Sequence, residues 1–136
     1  MMVEKENTRP IEQLHTGESY SRALLDSALL TESTEWWAAC PPEILPWAGT
    51  VRGREAIALW FRMLNNMMEY DRFEPFERIA QGDTIIVLYH SSGRAKSIDL
   101  PFESDIVRIY TMRDGKIVRV RNYYDTASYV AALRET

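Results

Sequence analysis

The chain has 136 residues, a length that fits one domain with a single hydrophobic core. Hydrophobic residues make up 46% and charged residues 26% of it, which indicates a globular protein and not a disordered one. The net charge is −4, and no window is dominated by Lys and Arg, which argues against nucleic acid and anionic membranes as partners. No apolar run approaches the ~20 residues that span a bilayer.

The N-terminal segment, residues 1–18, carries the weakest structural signal. We expect it to be poorly defined or to form a short helix that starts near Thr8, with Pro10 at its first position. It is polar and lacks the apolar centre of a signal peptide, so we expect a cytoplasmic protein. The single cysteine, Cys40, excludes an internal disulfide. Without a His/Cys cluster of ligand spacing or a phosphate-binding loop, we expect no metal and no cofactor.

The next part of the chain predicts helices and short extended segments. Residues 19–30 read as a helix, residues 34–39 as a short strand, and residues 43–51 as an irregular loop or a short hairpin. Pro41-Pro42 must end the strand, because proline cannot donate to a ladder. The clearest helix is Arg54 to Glu69. Its apolar side chains follow the i, i+3, i+4, i+7 pattern: Ile57, Trp60, Phe61, Leu64, Met67 and Met68.

From residue 71 onward the pattern changes to that of strands. We predict four strands, at residues 72–80, 84–90, 96–112 and 117–124, joined by turns at 81–83, 91–93 and 113–115. Asp125 then caps a short final helix that ends near Leu133. Consecutive hairpins make a curved antiparallel sheet, and the long helix must cover one of its faces. This arrangement predicts a conical cavity between helix and sheet.

Several segments resemble, in order, those of SnoaL-like proteins in the nuclear transport factor 2 superfamily. They are Leu29 to Trp36, Leu45 to Ile57 (LPWAGTVRGREAI), Phe73 to Asp83, Arg113 to Val118 and Tyr124 to Ala127. The resemblance covers residues 19–133. It implies one SnoaL-like domain over residues 19–136 with the cone-shaped α+β fold of this superfamily. In that fold a curved antiparallel sheet wraps around a long helix and encloses an apolar pocket.

The resemblance also implies the partners: a small apolar molecule in the pocket and a second copy of the chain. In this family the homodimer forms through the outer sheet face. The run Ile85 to Tyr89 is apolar on both faces, and a partner sheet would supply the second cover it needs.

Arg108 is the first candidate for chemistry. Strand parity places it on one face with Ile106, Tyr110 and Met112. Many SnoaL-like proteins carry a histidine at this position, pointing into the cavity. Arginine stays charged and cannot act as a base near neutral pH, but it can bind an oxyanion or a carboxylate. The alternative is a structural salt bridge to a local acid, such as Glu103 or Asp125.

Asp125 is the candidate base. It follows the last predicted strand, residues 117–124, and the resemblance implies that SnoaL-like cyclases carry an acid near the end of that strand. Burial beside an apolar wall would raise its pKa and suit it to proton abstraction next to a carbonyl. The alternative is purely structural, since Asp-Thr-Ala-Ser at the start of a helix is typical of an N-cap. The two roles are compatible.

The candidate ligand-binding residues are polar and aromatic. Asn122 stands where relatives often carry an acid and can orient a carbonyl or make a cross-strand hydrogen bond. His90 ends a buried strand, where it is a structural donor or a catalyst. Four aromatic residues carry rings that would suit a flat apolar ligand: Trp36, Trp60, Tyr110 and Tyr124. The alternative is that these rings simply pack in the core.

The catalytic residues of ketosteroid isomerases, which share this fold, are missing from the sequence. Residues 35–40 hold no aspartate where their base lies, and the predicted first helix, residues 11–16, has no tyrosine. Two functions remain open. The first is a cofactor-independent isomerase, cyclase, lyase or hydrolase acting on a small apolar carbonyl compound, with Asp125 as base and Arg108 stabilising an enolate. The second is a non-catalytic ligand-binding or accessory protein of the same fold.

Overall fold

The computed structural model describes residues 2–17 and 19–134. Within them the chain forms four helices: α1 (Met2–Gln13), α2 (Tyr20–Asp26), α3 (Arg54–Met67) and α4 (Thr126–Arg134). The six strands are β1 (Glu35–Ala38), β2 (Gly49–Arg52), β3 (Met68–Gln81), β4 (Thr84–Ala95), β5 (Leu100–Arg113) and β6 (Lys116–Tyr124). The described helices include none with the length and apolar character needed to cross a membrane. The cytoplasmic location stays a prediction.

The strands form one sheet in the order β2-β1-β6-β5-β4-β3, in which every neighbouring pair is antiparallel except β1 and β6. Register irregularities in β3, between Tyr70 and Arg72 and between Pro75 and Glu77, bend its pairing with β4. The register of β4, β5 and β6 aligns Val87 with Arg108 and Arg108 with Asn122. The predicted α+β class with a curved sheet is confirmed.

Helix α3 covers the concave face of the sheet. Its buried residues are Ile57, Trp60, Phe61 and Leu64, as the spacing predicts. Gly53 precedes the helix at a φ of 91°, and its N–H donates to the carbonyl of Thr34 (2.9 Å). The helix ends at Met67, before the predicted Glu69, because Met68 already pairs with β4 as the first residue of β3.

Helix α1 corrects the expectation for the N-terminal segment. It begins at Met2, and Pro10 lies inside it and not at its first position. Asn7, Ile11 and Leu14 are buried, and Ile11 and Leu14 belong to the same core cluster as the sheet residues. The i, i+4, i+7 spacing of these three residues was the signal, but the polar sequence around them obscured it.

Helix α2 ends at Asp26, short of the predicted Leu30. Arg54 accounts for the shorter helix, although the helical pattern of α3 places it on the polar face. Its guanidinium donates to the carbonyls of Leu25 (2.6 Å), Ser27 (3.0 Å) and Leu30 (2.7 Å). These three carbonyls therefore accept from a side chain of α3 and not from the backbone N–H groups that would extend α2.

Strand β4 continues to Ala95, so the turn predicted at residues 91–93 is wrong. Ser91 stays in the ladder, faces inward and donates its hydroxyl to the carbonyl of Ser104 (2.5 Å). The hairpin turn instead occupies residues 96–99, where Asp99 adopts a φ of 58°. The sequence Ser92-Gly93 is typical of turns. Here, however, glycine is needed because strand β3 passes too close to leave room for a side chain at position 93.

The close approach of β3 to Gly93 predicts the effect of Gly93→Ala. A Cβ at Gly93 would lie 1.9 Å from the carbonyl oxygen of Glu69 on β3, so the two strands would have to separate. We expect the substitution to lower the free energy of unfolding, measured in urea, by about 2 kcal/mol or more. Gly17→Ala is the control, because a Cβ there meets no atom within 4 Å. Equal stability of the two variants would contradict the steric account.

Candidate functional site

A cavity of about 310 Å³ lies between the concave face of the sheet, α3 and the segment that joins α1 to α2. Its walls are mainly apolar and aromatic: Leu14, Trp47, Trp60, Phe61, Leu64, Phe73 and Ile106. Polar and titratable side chains also reach it: His15, Tyr20, Tyr70, Arg108, Asn122, Tyr124 and Tyr129. The lining within the described part of the chain contains no Asp or Glu.

Arg108 lies in this cavity with only 4% of its surface exposed. Strand β5 directs it inward, as strand parity predicts. Four aromatic rings surround its guanidinium carbon. The carbon lies 5.0 Å from the ring centroid of Tyr20, 5.2 Å from those of Trp36 and Tyr89, and 5.6 Å from that of Phe73. Aromatic faces attract a cation, and more strongly so away from water.

The hydrogen-bond partners of Arg108 leave its charge uncompensated. Its Nε donates to Oδ1 of Asn122 (2.5 Å), whose amide donates to the carbonyl of Trp37 (2.9 Å). Its Nη1 is buried and has no hydrogen-bond partner among the described residues. Glu103 and Asp125, the alternatives for a salt bridge, are both exposed, and neither forms an ion pair with Arg108 in the part of the chain that the structure describes.

The charge of Arg108 nevertheless persists. Burial alone would lower its pKa, but the oxygens of Tyr20, Tyr89 and Tyr110 favour the cation and raise the pKa above its ordinary value. A buried charge without a partner is unfavourable for folding. An anion bound in the cavity would supply that partner.

His15 and three tyrosines form a continuous set of hydrogen bonds, of which His15 and Tyr20 line the cavity and Tyr89 and Tyr110 lie behind the lining. His15 Nδ1 lies 2.9 Å from the carbonyl oxygen of Ile11, and its Nε2 lies 2.6 Å from the hydroxyl of Tyr89. The hydroxyl of Tyr110 lies 3.2 Å from that of Tyr89 and 2.5 Å from that of Tyr20. Burial, assisted by the charge of Arg108, lowers the pKa of His15 to about 4, so the imidazole is neutral at pH 7.

A second group of tyrosines also lines the cavity. Trp47 Nε1 donates to the hydroxyl of Tyr124 (3.1 Å), which donates to the carbonyl of Ala39 (2.5 Å). The hydroxyls of Tyr70 and Tyr129 are 2.7 Å apart. Burial raises the pKa of Tyr70 to about 12 and the pKa values of Tyr124 and Tyr129 well above the ordinary range. These hydroxyls are therefore neutral at pH 7.

The structure brings part of the predicted site together. The predicted residues that line the cavity are Arg108, Asn122, Trp60 and Tyr124. Trp36 and Tyr110 are fully buried behind the lining. Trp36 packs against the Arg108 guanidinium, and the hydroxyl of Tyr110 is hydrogen-bonded to those of Tyr20 and Tyr89. His15 is not predicted from the sequence, because a lone histidine in a polar segment gives no signal of its role.

Two predicted site residues lie elsewhere. His90 is on the outer face of the sheet, where its ring stacks on Phe76 at 3.9 Å and its Nδ1 lies 2.7 Å from Oδ1 of Asp105. Its predicted place in the pocket is wrong, because strand alternation gives the inner face to Tyr89. Asp125 is exposed and lies outside the cavity lining.

The structure places Asp125 at the start of α4, in the position that the cap alternative expects. Its Oδ1 accepts from the backbone N–H of Ser128 (3.2 Å), and its own N–H donates to the hydroxyl of Ser104 (2.9 Å). A carboxylate held in this way in solvent is not part of the cavity lining. The geometry therefore gives no support to Asp125 as a catalytic base.

The sequence matches the SnoaL-like domain over residues 22–120. The chain is also similar to a nuclear transport factor 2-like protein from Burkholderia xenovorans LB400, with 32% identity, a TM-score of 0.81, and 97% of this chain and 98% of that one covered. The chain belongs to the SnoaL-like family of the nuclear transport factor 2-like proteins, as the sequence motifs predict. No curated protein matches it.

Two solved structures with ligands share the fold at lower identity. TerC co-crystallised with polyporic acid is 22% identical, with a TM-score of 0.79, and 95% of this chain and 98% of that one are covered. A protein with a ketosteroid isomerase-like fold from Catenulispora acidiphila DSM 44928, in complex with trimethylamine, is 21% identical, with a TM-score of 0.65 and coverages of 81% and 78%. At these identities the likeness concerns the fold alone.

The cap geometry predicts how Asp125 variants behave. Asp125→Ala removes the acceptor for the N–H of Ser128 and should lower the free energy of unfolding by about 1 kcal/mol. Asp125→Asn keeps a good N-cap and should be close to wild type in urea denaturation. Equal stability of the Ala and Asn variants would contradict the capping role.

The lowered pKa of His15 predicts a pH dependence of stability. The folded-state value of about 4 lies below the ordinary 6.5, so between these values the unfolded chain binds a proton that the folded protein does not. The contribution of His15 to stability is therefore complete above pH 6.5 and is lost as the pH falls toward 4. Between pH 7 and pH 5 we expect a loss of about 1 kcal/mol from this group, reduced by its partial exposure.

His15→Gln is the test. In urea denaturation at pH 7 and pH 5, the variant should lose less stability on acidification than the wild type, by about that same 1 kcal/mol. The other titrating groups are common to both proteins and cancel in the difference. An identical loss in the two proteins would show that His15 has no depressed pKa.

Proposed function

We propose that the cavity binds a small, flat, apolar molecule that carries an anionic oxygen, and that Arg108 is the anchor for that oxygen. The observation that supports this function is the buried guanidinium with an unpartnered Nη1 and no carboxylate among the described lining residues. A carboxylate, enolate or phenolate would complete the ion pair that the protein lacks. Charge-assisted hydrogen bonds of this kind are among the stronger ones available to a binding site.

The size and the walls of the cavity set the rest of the ligand. A volume of about 310 Å³ is at the lower end of small-molecule sites, so one or two rings fit. Trp60, Phe61 and Phe73 offer ring surfaces on which a flat apolar group packs well. A cationic ligand would face the charge of Arg108. The acid reported with TerC agrees in charge with this proposal, and the trimethylamine reported with the other relative does not.

Within this ligand class, the geometry favours binding over catalysis. An isomerase or cyclase needs a base beside the ligand as well as the oxyanion donor that Arg108 provides. The described lining holds no carboxylate, and Asp125 caps α4 outside it. His15 is the one imidazole of that lining, and its Nε2 is engaged with Tyr89. We therefore propose a non-catalytic ligand-binding or accessory protein.

The outer face of the sheet supports the homodimer as a second proposal. On this face Phe76, Ile79 and Tyr123 are exposed, and Ile86 beside Ile79 is only half-buried. A second sheet packed here would cover these side chains, as the resemblance implies. Sedimentation equilibrium distinguishes the proposed dimer from a monomer.

Binding of benzoate measured by calorimetry tests the role of Arg108. Arg108→Met should weaken benzoate binding at least about tenfold, because it removes the cationic donor. The variant should remain folded, since an apolar side chain of similar length replaces a buried, unpaired charge. Binding of benzyl alcohol, which has the ring but no carboxylate, should change little.

Arg119→Met is the matched control. Arg119 is an exposed arginine on neighbouring strand β6, and its Nε lies 3.8 Å from Glu35. This variant removes the same charge from the protein but not from the cavity, so it should bind benzoate like the wild type. Equal benzoate affinity in Arg108→Met and the wild type would rule out Arg108 as the anchor.

A further inference from the structure

We infer that the hydrogen bonds of His15 orient the hydroxyl of Tyr20, so that the cavity selects ligands with a hydrogen-bond donor near their anionic oxygen. The favoured class is the hydroxylated aromatic carboxylate. This inference rests on the proposed function, because it adds a second recognition point to the ligand that Arg108 anchors. The residues that carry it are His15, Tyr89, Tyr110 and Tyr20.

The direction of the hydrogen bonds is set at His15. A backbone carbonyl can only accept, so the 2.9 Å contact between Ile11 and His15 requires the imidazole to carry its proton on Nδ1. A neutral imidazole has one N–H, which leaves Nε2 as an acceptor. Neutrality agrees with the lowered pKa of His15. Nε2 therefore accepts from the hydroxyl of Tyr89 at 2.6 Å.

The same reasoning carries through the tyrosines one hydroxyl at a time. Each phenol has a single hydrogen. Tyr89 uses its hydrogen on His15, so in its 3.2 Å contact with Tyr110 it accepts. Tyr110 has then used its own hydrogen on Tyr89, so in the 2.5 Å contact with Tyr20 it accepts as well. Tyr20 is therefore the donor in this contact, and its hydrogen points to Tyr110.

Tyr20 lines the cavity, and its oxygen can only accept a further hydrogen bond there. Arg108, whose guanidinium carbon lies 5.0 Å from the Tyr20 ring centroid, can only donate. Two neighbouring recognition points thus make opposite demands: an acceptor for Arg108 and a donor for Tyr20. An apolar ring with a carboxylate and a hydroxyl satisfies both. A ring with an ether in place of the hydroxyl leaves two acceptor oxygens facing each other.

Calorimetry with 3-hydroxybenzoate, 3-methoxybenzoate and benzoate tests the inference. The 3-isomers are chosen because a 2-hydroxyl would bond internally to its own carboxylate. The wild type should bind 3-hydroxybenzoate about fivefold to tenfold more tightly than benzoate, the effect of one added hydrogen bond. It should bind 3-methoxybenzoate no better than benzoate.

Tyr89→Phe and Tyr110→Phe separate the oriented hydrogen bonds from simple shape. Neither residue is among the described lining residues, so the space offered to the ligand stays the same. Without the Tyr89 hydroxyl, Tyr110 can donate to Tyr20, and without the Tyr110 hydroxyl, Tyr20 has no internal acceptor. In both variants Tyr20 becomes free to donate, and the ratio of hydroxy to methoxy affinity should fall to within about twofold of unity. Tyr123→Phe, on the outer face, should keep the wild-type ratio.

The outcomes separate the two proposals. If benzoate and both derivatives fail to bind the wild type, the proposed function is wrong and the inference falls with it. If benzoate binds but the wild type does not prefer the hydroxyl, or if both Phe variants keep the wild-type ratio, the inference is overturned while Arg108 remains the anchor. A ratio lost in both variants and kept in Tyr123→Phe supports the inference.

Discussion

Taking a guanidinium out of water costs several kcal/mol unless other groups replace its hydration shell. Around Arg108 that replacement is partial. Four aromatic rings face the cation and the amide oxygen of Asn122 accepts from Nε, while Nη1 keeps no hydrogen-bond partner among the described residues. Burial raises the pKa values of Tyr89 and Tyr110, so these two hydroxyls are neutral. The preference for an anion that we propose for the cavity rests on the position of this one charge on β5.

Much of the fold was predictable because its strongest signals are local. The apolar stripe of α3 and the hairpin at Asp114-Gly115 need no knowledge of the tertiary structure. Helix α1 and the end of β4 depend on distant partners instead. The polar segment around Asn7 and Ile11 becomes helical by packing on the sheet, and Gly93 serves the approach of Glu69, not a turn. No pattern within a short window of sequence carries that information.

The site was predictable to the extent that strand parity decides it. Parity places Arg108 and Asn122 on the inner face, and the structure agrees. For His90 the predicted face was the wrong one, because the inner face of β4 belongs to Tyr89. For Asp125 the sequence alone does not distinguish a helix N-cap from a buried acid. The role of His15 lay beyond sequence reasoning, because its partner Tyr89 is 74 residues away and only the fold brings them together.

The unpaired charge of Arg108 also bears on how this sequence can change over time. Residues that serve binding are often poor choices for stability, and proteins keep them only while the function is under selection. An apolar residue at position 108 would suit the ring-lined interior better than a cation does. If Arg108 anchors a ligand as we propose, copies of this domain that no longer need that ligand would be expected to lose this arginine early. Its presence or absence in a descendant sequence becomes a sign of whether the cavity is still in use.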